Sequence, residues 1–138
     1  MYNTRLKNNR YMMNCITMLN NPQVVEFVVD TGAIFTCCHY QEIDDSLKED
    51  DFKDAPAKLI GGIVAGSAIR LYECPLKQMT VGNLDLRDQS IWITFDDRLS
   101  DNVLGMDILK QILFSSFPDD RKLVLFQDRN EALQYLAG

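Results

Sequence analysis

The sequence lacks most of the patterns that mark a metal site, a membrane anchor or a secreted protein. It has one histidine, and its four cysteines form no Cys-x-x-Cys pair, so a zinc site has little support. No apolar run approaches the roughly 18 residues of a membrane-spanning helix, and the N-terminus has no apolar segment of the secretory type. We therefore expect a cytoplasmic protein with no metal, no cofactor and no membrane partner. Its reduced and mostly buried thiols are Cys15, Cys37, Cys38 and Cys74.

Positive charge is also scarce. Lys and Arg number 14 against 20 Asp and Glu, which gives a net charge of −6 and a pI near 4.6. Binding to a nucleic-acid backbone needs a basic surface, so this composition argues against a nucleic-acid partner. The length of 138 residues fits one domain, and no repeat or linker divides it. We expect a single domain over residues 1–138.

Short apolar segments separated by turn signals predict a mostly β protein. Segments 11–19 and 24–29 flank the turn sequence Asn20-Asn21-Pro22 and predict a hairpin. A glycine cluster inside residues 58–74, and Gly82-Asn83 between residues 76–81 and 84–86, predict two more hairpins. Further short strands are expected at residues 36–38, 90–95 and 123–126.

Two segments have helical patterns. Residues 107–114 place four apolar side chains at helical spacing. Residues 128–136 begin with Asp128 and carry Glu131 three positions later, a variant of the capping box. The acidic segment 41–54 is weakly helical, and we interpret it as a solvated surface.

The segment Val28-Val29-Asp30-Thr31-Gly32-Ala33 carries the candidate chemistry. Asp30 follows a predicted buried strand directly, and Gly32 lets the backbone bend sharply after it. Asp-Thr-Gly alone is more typical of a simple turn. Two further features change that interpretation: the glycine-rich hairpin at residues 59–71, and two apolar residues followed by a glycine at residues 103–105, just before a predicted helix.

In this order, the three segments resemble the retropepsins, the retroviral-type aspartic proteases. The resemblance covers residues 24–113, with the active-site loop at residues 29–33, the flap at residues 60–66 and the turn before the helix at residues 103–105. It implies a closed antiparallel β-barrel of the acid protease type. One helix would follow Gly105, and a short helix would lie near the C-terminus.

The resemblance implies an aspartic endopeptidase that acts on polypeptide substrates. Such enzymes use two close carboxylates that share one proton, because both cannot ionise at that distance. One carboxylate activates a water and the other polarises the scissile carbonyl, so no covalent intermediate and no cofactor are needed. The chain has one Asp-Thr-Gly and is too short for two lobes, so a second copy must supply the second carboxylate in a homodimer.

The resemblance also assigns roles to individual residues. Asp30 is the implied catalytic residue, with Thr31 bonded across the dimer axis and Gly32 allowing close approach of substrate. Gly105 would let the helix pack tightly behind the loop. The implied substrate-binding residues are Ala33, Gly61, Gly62, Ile63, Val64, Ala65, Val103 and Leu104.

The chain departs from the viral members in two places. Ile34 and Phe35 follow the loop where viral enzymes carry acidic residues, and Met106 stands where they carry an arginine. In the family these groups pair, so their joint absence leaves no unpaired buried charge. The departure implies a different bracing of the dimer and more apolar subsites, as in a cellular, microbial member.

Three other interpretations stay open. The fold could serve as a catalytically inactive dimerisation or peptide-binding module, although the retained Asp-Thr-Gly argues against this. A cysteine hydrolase could use Cys37 and His39 on one face of a strand, although no orienting group is evident. The third alternative is an unrelated small β-barrel binding protein.

We expect the protein to sediment as a homodimer of about twice 15.8 kDa, because one chain carries a single Asp-Thr-Gly. Sedimentation equilibrium across the micromolar range measures this directly. A monomer that retains peptidase activity at every concentration would contradict the shared site.

Overall fold

The computed structural model describes residues 1–64 and 67–137, without the side chains of residues 5, 62–64 and 67. In this part of the chain it contains twelve strands, two α-helices and three short 3-10 helices. The 3-10 helices are Tyr40–Glu42, Glu49–Phe52 and Pro118–Asp120, and the α-helices are α1 (Met106–Leu109) and α2 (Arg129–Ala137). The strands are β1 (Tyr2–Lys7), β2 (Arg10–Met18), β3 (Pro22–Val29), β4 (Cys37–His39), β5 (Ala57–Val64), β6 (Ser67–Pro75), β7 (Gln78–Val81), β8 (Leu84–Leu86), β9 (Ser90–Thr94), β10 (Val103–Leu104), β11 (Leu113–Phe117) and β12 (Lys122–Phe126).

The strands pair in the order β11-β12-β1-β2-β3-β10-β4-β9-β6-β5, and the β7–β8 hairpin branches from β2. Most pairs are antiparallel, but β10 runs parallel to β3 and β4 runs parallel to β9. Strand β10 therefore lies between β3 and β4, with Val103 paired to both Val28 and Cys37. Because β10 lies between these two strands, residues 103–104 run beside β3, the strand that directly precedes Asp30.

The mostly β architecture and the three predicted hairpins are confirmed. Strands β2 and β3 alternate between buried and exposed side chains, as expected for a sheet with one face on the core. Gly82 occupies the β7–β8 turn with φ of +59°, a conformation that favours glycine. Among the described strands the pairing is an open path from β11 to β5, so closure into a barrel stays a prediction.

The helix predictions are corrected in length. Helix α1 ends at Leu109, and Leu113 lies in β11, paired with Phe126, so the predicted helix over residues 107–114 is wrong in its second half. Sheet pairing outweighed the helical spacing there, which is a tertiary effect. Helix α2 is the longer of the two, and its Asp128 side chain accepts a hydrogen bond from the Glu131 amide at 2.8 Å, as the capping pattern predicts.

The acidic segment at residues 41–54 is not simply a solvated surface. Its carboxylates are mostly exposed, but Ile43 and Phe52 are buried in the core. Phe52 packs against Tyr72 and Phe95 with ring centroids about 6 Å apart. The segment therefore anchors the end of the sheet that carries β5 and β6.

The four cysteines are free and buried, as predicted. Burial raises the pKa of Cys15 to about 12 and that of Cys37 and of Cys74 to about 11. Burial also raises the pKa of Cys38 well above its ordinary value. Each thiol therefore stays protonated, and unreactive as a nucleophile, at neutral pH.

None of the helices in the described ranges combines the length and the apolar composition that a membrane span requires.

We expect all four cysteines to resist a thiol-specific disulfide reagent at about pH 8 in the folded protein, because only the thiolate reacts. All four should react at once in denaturant. Rapid labelling of the native protein, followed by absorbance, would contradict the burial described here.

Candidate active site

Asp30 directly follows β3 and is held there by the neighbouring strand β10. The Val28 amide donates to the carbonyl of Asn102 at 2.7 Å, and the Asp30 amide donates to the carbonyl of Leu104 at 3.0 Å. The Asp30 side chain is exposed, and its Oδ1 accepts a hydrogen bond from the Gly32 amide at 2.9 Å. The backbone of Asp30 is thus fixed by β10, while its carboxylate remains open to a reactant.

A buried hydrogen-bond network supports the loop after Asp30. The carboxylate of Asp107 accepts from the Thr36 amide at 3.0 Å and from the Thr36 hydroxyl at 2.6 Å. The Thr36 hydroxyl oxygen in turn accepts from the Gly105 amide at 2.9 Å. Thr36 is completely buried, so each of these polar groups needs its partner.

The start of α1 packs directly on the same loop. The Met106 amide donates to the carbonyl of Ala33 at 2.8 Å, and the Asp107 amide donates to that of Ile34 at 3.1 Å. These bonds satisfy N–H groups that a helix leaves unpaired at its first turn. A Cβ at Gly105 would lie 2.6 Å from the carbonyl oxygen of Phe35, so only glycine permits this close approach.

A cavity of about 700 Å³ opens in front of Asp30. One wall is largely apolar and includes Phe35, Ile60 and Leu71, which belong to one hydrophobic cluster. Another wall carries an ion pair between Arg10 and Asp101, 2.8 Å from guanidinium nitrogen to carboxylate oxygen. The lining residues in the described part of the chain are Arg10, Asp30, Gly32, Ala33, Ile34, Phe35, Cys37, Leu59, Ile60, Gly61, Leu71, Ser100, Asp101 and Val103.

The β5–β6 hairpin covers one side of this cavity, with Leu59, Ile60 and Gly61 in its lining. Its base contacts the segment just after the active-site loop, because Lys58 Nζ lies 3.9 Å from the ring centre of Phe35. Phe35 also meets Trp92 edge-on at 5.6 Å. The hairpin and the loop are therefore connected through one aromatic side chain.

The structure brings five of the predicted site residues together around the cavity: Asp30, Gly32, Ala33, Gly61 and Val103. Thr31 is exposed on the same loop and does not line the cavity.

The remaining predicted site residues have other positions. Leu104 is completely buried and is not among the described residues that line this cavity, so its predicted place in a subsite wall stays a prediction. Its contribution is the carbonyl that accepts from Asp30. The backbones of Gly62, Ile63 and Val64 belong to β5, their side chains lie outside the description, and Ala65 lies outside the described residues.

Sequence reasoning missed the Arg10–Asp101 pair and the Thr36–Asp107 network. Their partners are 91 and 71 residues apart, so no local pattern joins them. Asp107 had a weak signal of its own, since an aspartate in the first turn of a helix commonly accepts N–H groups.

The geometry does not favour a cysteine hydrolase. Cys37 lines the cavity, but burial raises the pKa of its thiol to about 11. His39 Nε2 lies 2.9 Å from the Asp97 carboxylate, and its Nδ1 accepts from the Gln41 amide at 3.5 Å. Both ring nitrogens of His39 therefore already have partners, and neither is free to take the proton of the Cys37 thiol.

Comparisons with known proteins agree with this geometry. Residues 16–111 match a family described as "gag-polyprotein putative aspartyl protease". The fold is similar to that of a retropepsin-like aspartic protease from Rickettsia conorii, with a TM-score of 0.67 and 17 % sequence identity over 91 % of this chain and 88 % of that chain. Comparison with curated proteins gives no match.

Gly105→Ala should lower the free energy of unfolding by about 2 to 3 kcal/mol, because the new methyl group overlaps the backbone of Phe35. Gly61→Ala is the matched control, since its methyl group would meet no described atom within 4 Å. Urea unfolding of both variants measures the difference. Equal stability of the two variants would contradict the close packing of α1 on the loop.

Proposed function

The chain belongs to the gag-polyprotein aspartyl protease family, a retropepsin-like family, and from this membership we propose that it is an aspartic endopeptidase active as a homodimer. Each copy contributes Asp30 to one shared site. The substrate is a polypeptide, which lies in the cavity under the β5–β6 hairpin. The four free thiols support a reducing, cytoplasmic location.

The observation that carries the proposal is the environment of Asp30. Among the described cavity residues the carboxylates are Asp30 and Asp101, and Asp101 forms an ion pair with Arg10 at 2.8 Å. A single chain therefore offers one free carboxylate where the chemistry needs two. A second copy related by a two-fold axis supplies the other Asp30.

The proposed reaction uses the two Asp30 carboxyl groups with one proton between them. The ionised group takes a proton from a water, whose oxygen attacks the carbonyl carbon of the scissile peptide bond. The protonated group donates its proton to the carbonyl oxygen, which gives a neutral gem-diol. Proton transfer to the amide nitrogen then lets the C–N bond break, releasing a carboxylic acid and an amine.

The neighbouring residues support this reaction in the proposal. Thr31 bonds across the two-fold axis, and Gly32 donates its amide to the Asp30 carboxylate. Ala33 and Val103 form part of the cavity wall, and residues 61–65 of the hairpin hold the peptide as an added strand. The glycines of the hairpin permit opening and closing over the substrate.

Asp30→Asn should abolish peptide hydrolysis while leaving fold and dimer in place, because a neutral amide cannot act as the base. Activity is measured on a library of fluorogenic peptides, with circular dichroism and sedimentation as checks on fold and assembly. Asp54→Asn, which removes an exposed carboxylate that does not line the cavity, is the matched control.

Mixing the two proteins tests whether the site is shared. In an equimolar mixture at equilibrium, about a quarter of the dimers carry two wild-type chains, so activity per wild-type chain should fall by about half. Activity proportional to the wild-type chains alone would contradict a shared site. Peptide binding without hydrolysis by the wild type would favour the inactive module instead.

A further inference from the structure

The cavity in front of Asp30 has one charged wall, formed by Arg10 and Asp101. Arg10 begins β2 and Asp101 precedes β10, and these two strands pair with opposite edges of β3. The ion pair therefore spans the end of the strand that carries Asp30. The side chains of Arg10 and Asp101 are 48 % and 36 % exposed, so a substrate side chain can reach both.

Carboxylates outnumber cations around the whole cavity. Among its described lining residues the carboxylates are Asp30 and Asp101, and the one cation is Arg10. The hydrogen bond from Arg10 lowers the pKa of Asp101, so this carboxylate stays ionised near neutral pH. An acidic substrate side chain would become a third carboxylate around one guanidinium, whereas a basic side chain meets an unsatisfied negative charge.

The geometry of Asp101 leaves room for a second cation. Arg10 donates to the Oδ2 atom of Asp101 and the Ser100 side chain also bonds this carboxylate, which can accept about four hydrogen bonds and so keeps acceptor positions for a further donor. A lysine or arginine of the substrate can therefore bind Asp101 without displacing Arg10. The net charge of −6 adds long-range attraction for basic segments.

The apolar part of the cavity lining determines the other half of the preference. Phe35, Ile60 and Leu71 line the cavity and belong to one hydrophobic cluster, which an apolar substrate side chain can extend. We propose that the cleft selects polypeptide segments in which an apolar residue at the cleavage point is accompanied by a nearby lysine or arginine, with Asp101 as the specificity-determining residue. This inference rests on the proposed peptidase function.

The test compares two fluorogenic peptide sets with an apolar cleavage point, identical except for lysine or glutamate at each flanking position. At the flanking position with the largest effect, the wild type should cleave the lysine peptide with a kcat/KM about tenfold higher than that of the glutamate peptide. Asp101→Asn keeps an acceptor for Arg10 but removes the charge, and should reduce the ratio to about twofold. Asp54→Asn changes the net charge equally and should keep the wild-type ratio, which separates local binding from long-range attraction.

A second variant keeps the test decisive if Asp101→Asn does not fold. Arg10→Gln removes the positive charge that repels a basic substrate side chain beside Asp101, so the lysine preference should rise above that of the wild type. Equal cleavage of both peptides by the wild type, or an unchanged preference in Asp101→Asn, would overturn the inference.

Binding separates this inference from the proposed function. If the wild type cleaves no peptide, the proposed function fails, and the same ratios are then measured as dissociation constants with fluorescently labelled peptides. A lysine preference that depends on Asp101 would still support the inference. Equal affinity, or no binding of either peptide, would overturn it as well.

Discussion

The carboxylate of Asp107 is the point on which the site depends. It accepts hydrogen bonds from the amide and hydroxyl of Thr36, and its Oδ1 also accepts from the Ile108 amide at 2.9 Å. Through these bonds one side chain joins Thr36, just after the active-site loop, to the first turn of α1, and the Thr36 hydroxyl extends the connection to the Gly105 amide. Thr36 has no contact with solvent, so removing the acceptor would leave buried donors unpaired at a cost of about 1 to 3 kcal/mol each.

This arrangement explains why a helix of a single turn persists. Met106–Leu109 is too short to be stable alone, because helix nucleation is unfavourable and four residues form few internal bonds. Its first amides instead donate to the carbonyls of Ala33 and Ile34, and Ile108 and Leu109 are buried in the core. The helix and the loop therefore stabilise each other, and together they fix the position of Asp30.

Local patterns made the active-site loop and the hairpins predictable. Asp30 follows a β-branched strand and has Gly32 two positions later, and glycines occur in the sequence around the β5–β6 hairpin and at the β7–β8 turn, so neighbouring residues carry the whole signal. The order of the three retropepsin-like segments then predicted the family, which the match over residues 16–111 confirmed.

Features that depend on distant partners could not be predicted in the same way. The apolar residues at 112–114 have a helical spacing, yet β12 draws Leu113 into a strand. Strand β1 is polar and is held in the sheet by its pairing with β12. The Arg10–Asp101 pair forms because β2 and β10 flank β3 on its two edges. Leu104 looked like a cavity residue by its place in the motif, and only the packing of the whole sheet shows that it is buried.

The position of β10 between β3 and β4 also determines when the site can form. Val28 pairs with Val103, which is 103 − 28 = 75 residues later in the chain, and contacts of such long separation form slowly. During synthesis, the Asp30 loop precedes the strand and the helix that hold it by most of the length of the domain. A nascent chain therefore carries the aspartate without its supporting hydrogen bonds until the residues up to Ile108 have left the ribosome.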